Sequence, residues 1–149
     1  MTELPLAWSA FRRRVKEDLD RLWMCRWASM STCRQTRDFV PVHDPRLTAF
    51  ILSKNRAQAS RLVQFYTGHN HLLYHQSNTG QSPTDLCRLC GLARETSRHL
   101  WSECEATARY RWETSLLTGW MGQYRRVLDF IDQHDRLFRH LEEELDGED

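Results

Sequence analysis

The chain has 149 residues, 40% hydrophobic and 28% charged, which is polar for a globular protein but outside the disordered range. Its longest apolar run, Ala49-Phe50-Ile51-Leu52, is far short of the ~20 residues that cross a bilayer, and Gly and Pro are too sparse for a fibrous protein. The net charge of +1 conceals a division: residues 1–126 carry 19 basic and 11 acidic side chains, a balance of +8, whereas residues 127–149 carry 2 and 9, a balance of −7.

The expected organisation is one small, mainly α domain: a basic helical body over 1–126 and an acidic amphipathic helix and tail over 127–149. Trp8, Phe11, Val15, Leu19, Leu22, Trp23, Trp27 and Met30 recur at steps of three and four, predicting a helix over about 6–30 with one apolar stripe. Residues 31–45 read as an extended connection punctuated by Pro41 and Pro45. Asp44-Pro45 reads as a cap and first helical position. The helix that follows, to about 53, would bury Leu47, Phe50 and Ile51. Another, over about 55–66, would bury Ala59, Leu62, Val63 and Tyr66. After Gly68, Asn70 caps a short helix carrying Leu72, Leu73 and His75, and residues 77–85 form a polar loop. Beyond a cysteine-rich stretch, a helix over about 105–117 offers Tyr110, Trp112, Leu116 and Leu117 for packing. Gly119 and Gly122 mark a turn. Val127, Ile131, His134, Phe138, Leu141 and Leu145 then stripe a long final helix over about 123–145.

The most specific pattern is Cys87-x2-Cys90-x8-His99-x4-Cys104. A CxxC turn lets two thiolates meet one ion, and Gly91 eases the turn that aims backbone N–H groups at sulfur. Thr96 can cap a turn presenting His99, with Cys104 closing the set. Three thiolates and an imidazole fill the tetrahedron that Zn2+ prefers, and soft sulfur disfavours magnesium or calcium. With all four positions taken by protein, the expected CCHC knuckle is structural rather than catalytic. His69, His71 and His75 read as turn, surface or core histidines. Five cysteines are an odd number, and no apolar run follows the N-terminal basic cluster. A reducing, intracellular setting is therefore expected.

All but two of the basic residues are arginines, whose planar forks bind phosphate bidentately and stack on bases. This directs attention to RNA or DNA, with Arg88, Arg94, Arg98, Arg109 and Arg111 as phosphate contacts and Trp101 as a stacking platform; core packing is the alternative for Trp101. No phosphate loop, nucleophile elbow, HExxH pair or adjacent Asp-Asp is present, so no enzyme activity is expected.

Several stretches taken in order resemble a known family: Trp23-x3-Trp27, Cys33-Arg34-Gln35-Thr36-Arg37-Asp38-Phe39, Phe65-x-Thr67-Gly68-His69-Asn70, Cys87-Arg88-Leu89-Cys90-Gly91, Glu95-Thr96-Ser97-x-His99-Leu100 and Glu103-Cys104. They look like the C-terminal tail, downstream of RNase H, of jockey-like non-LTR retrotransposon reverse transcriptase polyproteins. The resemblance runs over roughly residues 4–145. It implies a zinc-binding tail that contacts RNA or target DNA, with the metal on Cys87, Cys90, His99 and Cys104, and the rest of a retroelement polyprotein as a partner. The chain would then be a free-standing derivative or a fragment of such a reading frame. The alternatives are a zinc-stabilised protein-interaction scaffold and a retroelement remnant without function.

Overall fold

The computed structural model describes the backbone of residues 7–115 and 119–146 and the side chains of 7–112 and 122–139. The protein is mainly helical, with a single antiparallel bridge, Leu86 to Arg94, as its only β pairing among the described residues. It divides between Asp44 and Pro45 into two compact units.

The first unit contains α1 (Trp8–Ser29) and α2 (Arg34–Phe39). The expected extended connection thus holds a helix. Arg34 to Phe39 contains neither Gly nor Pro, and Pro41 stops the helix by forcing Val40 out of helical conformation. The turn is pinned where Trp27 Nε1 donates to Val40 O at 3.0 Å and Trp23 stacks on Trp27 at 5.4 Å. No residue of α1 is buried; Trp8, Phe11, Leu19, Leu22 and Trp23 stay exposed. With six residues, α2 is too short to cover a stripe that runs the length of α1.

The second unit begins with α3 (Pro45–Leu52) and α4 (Arg56–Thr67). Asn55 caps α4 by accepting from Gln58 N–H at 2.9 Å, and Gly68 ends it at φ +77°, a left-handed conformation that glycine adopts without strain. A short α5 (Leu73–Asn78) follows the turn in which Asn70 Oδ1 accepts from Leu72 N–H. After the cysteine-bearing loop come a π-helical turn (His99–Glu103), a 3-10 turn (Glu105–Thr107), α6 (Ala108–Ser115) and α7 (Gly119–Asp146).

α7 is the spine against which α3, α4 and α6 pack. Tyr124, Val127, Leu128, Ile131, His134 and Phe138 are buried at three- and four-residue steps, the signature of a helix with one core face. Phe130 meets Trp101 edge-on at 5.1 Å and Phe65 at 6.4 Å, and Phe50 meets Tyr124 at 5.5 Å. The backbone is already helical at Gly119 and Gly122, where a turn was expected; helix glycines cost about 1 kcal/mol each, which burial of Tyr124 and Val127 offsets. On α4 the buried face is Leu62, Phe65 and Tyr66, with Val63 turned outward, and on α3 it is Leu47 and Phe50, with Ile51 half-buried. Trp112 is exposed. Leu116 and Leu117, and the side chains of Leu141 and Leu145, lie outside the described residues.

Leu62→Ala should lower the unfolding free energy by about 2–5 kcal/mol, because the side chain is fully enclosed. Val63→Ala, one residue on, should change it by no more than about 0.5 kcal/mol. Urea titrations of both variants check the phase of the helix.

Candidate metal centre

The four sequence-predicted donors come together: one donor atom each from Cys87, Cys90, His99 and Cys104 lies within 4.8 Å of the other three. Local backbone chemistry builds the cluster. The Leu86–Arg94 bridge and Cys87 N–H donating to Ala93 O at 2.7 Å close the base of a knuckle. Within it, Gly91 N–H donates to Cys87 O at 2.8 Å, Gly91 takes φ +67°, and Leu92 N–H reaches Cys90 Sγ at 3.5 Å. The side-chain hydroxyl of Thr96 accepts from His99 N–H at 3.0 Å, so the expected cap is present. The five-residue step from His99 to Cys104 is spanned by the π-helical turn, whose closing bond is Cys104 N–H to His99 O at 2.8 Å. A wider turn than an α-helix brings these two side chains to one face.

Cys87 and Cys104 are buried with their sulfurs 4.0 Å apart, and Cys90 Sγ lies 3.3 Å from His99 Nε2. On the other side of the ring, His99 Nδ1 faces the Glu103 carboxylate at 3.7 Å. At that distance Nδ1 makes no hydrogen bond, and Nε2 is the nitrogen turned to the sulfur of Cys90. The thiols differ in acidity. Burial pushes Cys87 up to about 12, whereas the backbone N–H of Leu92, against the opposing effect of desolvation, helps bring Cys90 down to about 6. The arrangement of the four donors is compatible with a metal site.

The loop is anchored by a residue to which its spacing assigned no role. Glu95 is fully enclosed, and its carboxylate accepts from Arg88 N–H at 2.8 Å, from Arg88 Nη2 at 2.7 Å and from Leu73 N–H at 3.0 Å. Burial raises its pKa, but the Arg88 side chain and the two backbone donors outweigh that and hold the carboxyl below its ordinary range. The Arg88 guanidinium also stands 3.9 Å from the centre of the Phe138 ring, joining the knuckle to α7. Asn70 Nδ2 donates to Ser97 Oγ at 2.9 Å, a second tie between the loop and the turn after α4. The signal available in sequence was an acid between two donor pairs, with no indication of its partner.

The remaining candidate contacts separate into two sets. Arg88 is bound to Glu95, and Arg111 Nη1 donates to Cys104 O at 2.6 Å and to Thr107 Oγ1 at 2.7 Å, so both brace the knuckle. Trp101 packs edge-on against Phe65 and Phe130, the core reading of that residue. Arg94, Arg98 and Arg109 are exposed; Arg94 pairs with Asp85 at 3.0 Å and Arg98 with Glu103 at 3.5 Å.

Glu95→Gln should cost about 3 kcal/mol. Removing one partner of a buried ion pair costs about 3–5 kcal/mol, and Arg88 retains some solvent. A carboxyl with a depressed folded pKa stabilises fully above its ordinary value near ~4.3 and ceases to do so as pH falls through the folded value. The difference between wild type and variant in urea midpoint should therefore be full at pH 7 and narrow in acid. No protein-family model, curated protein or solved structure matches the chain significantly.

Proposed function

We propose that this protein is a zinc-stabilised module that binds RNA or DNA, of the kind that ends jockey-like non-LTR retrotransposon polyproteins. The observation that carries the reading is the convergence of Cys87, Cys90, His99 and Cys104. In a tetrahedral zinc site with Zn–S near ~2.3 Å, sulfurs stand about 3.8 Å apart, and the 4.0 Å between Cys87 and Cys104 is close to that. Four protein donors leave no position for water, so the ion would be structural and its place in the module is to hold the 86–112 segment in shape. The expectation that the chain carries no catalytic centre of its own belongs to the same reading.

Around the knuckle, Arg94, Arg98 and Arg109 present guanidinium groups to solvent. The exposed pairs to Asp85 and Glu103 contribute only about 0–1 kcal/mol each, so a phosphate can displace them. Arg88, Arg111 and Trp101 act from within, by bracing the loop that carries this surface. The exposed apolar stripe of α1 favours a second reading, a protein-interaction scaffold in which the zinc only stands in for missing core.

Cys90→Ser should lose most of its zinc by elemental analysis and melt at lower temperature, since structural zinc in small modules contributes on the order of 10 kcal/mol of apparent binding energy. Unchanged zinc content and melting would overturn the metal reading. Binding to single-stranded RNA should weaken steeply as salt rises. Replacing Arg94, Arg98 and Arg109 together by Ala should lower the slope of log K against log[salt] by about 2, at ~0.7 per phosphate contact on single strands. Absence of binding at low salt, or binding that is flat across salt, would sink this reading and leave the scaffold.

A further inference from the structure

Outside the thiolate cluster, a second group of donors converges between the turn after α4 and the middle of α7. His134 is about nineteen-twentieths buried, and its Nε2 has no hydrogen-bond partner. It is the other ring nitrogen, Nδ1, that faces the neighbouring carboxylate. His134 Nδ1 lies 3.9 Å from Asp135 Oδ1, and His71 Nε2 lies 3.8 Å from the same oxygen. One donor atom from each of the three residues falls within 4.8 Å of the others. They line a cavity of about 280 Å³ that Gln64, Asn70 and Ser97 also border.

We propose that His71, His134 and Asp135 form a second metal site, taking a divalent transition ion through two imidazoles and one carboxylate with a remaining position open to the cavity. The donor set selects the ion. Imidazoles favour Zn2+ or Co2+ over magnesium and calcium, and the lack of sulfur separates this site from the cysteine knuckle. Three protein ligands in place of four leave room for water or for an oxygen donor of a small ligand in the cavity.

Arg61 fits the same scheme. Its closest acid is Asp132, and it reaches Asp135 through Oδ2 at 3.7 Å, leaving Oδ1 as the edge turned to the imidazoles. A cation on the outer carboxylate oxygen orients the ligating one, as supporting hydrogen bonds do in other metal sites. His71 is half-exposed, so an ion has a route of entry.

This site is independent of the thiolate reading, and Co2+ distinguishes the two. The full chain is titrated with Co2+ and Zn2+, bound metal is counted after desalting, and thiolate-to-cobalt charge-transfer absorption is recorded. Wild type should bind two ions. His71→Ala and Asp135→Asn should each bind one, with thiolate absorption at full intensity and affinity for the second equivalent weakened at least tenfold. These two substitutions avoid the buried ring of His134, and unchanged thiolate absorption shows that the fold survives. Saturation of wild type at one ion with thiolate absorption, or a second equivalent retained by both variants, would overturn the proposal. A single wild-type ion without thiolate absorption that His71→Ala removes would uphold this site and overturn the thiolate one.

Discussion

The buried carboxylate of Glu95 is the constraint on which the second unit turns. It sits in the middle of the cysteine loop, fully enclosed, and accepts hydrogen bonds from both the backbone and side chain of Arg88 and from the first residue of α5. A charge in that position is tolerable only while its donors stay in place, so the loop cannot slide relative to α5 without stranding it. Arg88 lies between Cys87 and Cys90 and rests on Phe138, so the same pair carries the register of the metal donors to α7. The four donors thus belong to the helical core through one ion pair, as well as to one another.

This arrangement explains why arginines close in sequence divide into interior and exterior roles. Arg88 satisfies a buried acid, and Arg111 satisfies the carbonyl of Cys104 at the end of the π-helical turn. Each answers a buried polar group beside the donors, a side-chain carboxylate in one case and a backbone carbonyl in the other. Arg94, Arg98 and Arg109 are exposed. Asp129, Asp132 and Asp135 lie on a helix whose other face is core.

α7 also joins the two clusters of donors in one element. Its buried face carries Phe138 under Arg88 and, one turn earlier, His134 beside Asp135. His134 packs edge-on against Phe138 at 4.1 Å. Dense packing of this kind transmits displacement between neighbours rather than absorbing it.

The thiolate and imidazole set was legible from the chain alone because each part of it is local. A CxxC turn, a Thr cap ahead of His99 and a single wide turn to Cys104 depend on residues within a few positions of each other. The helices of α3 and α4, marked by Asp44-Pro45 and by Gly68, were legible for the same reason. Tertiary packing decided what depends on distant partners: that Val63 faces out while Phe65 faces in, that Gly122 lies within a helix, that Glu95 meets Arg88 and Leu73, and that His71 meets His134. Spacing specifies which face of a turn a side chain occupies, but the energy of burial and of ion pairing depends on what stands opposite, and only the folded chain brings that partner into place.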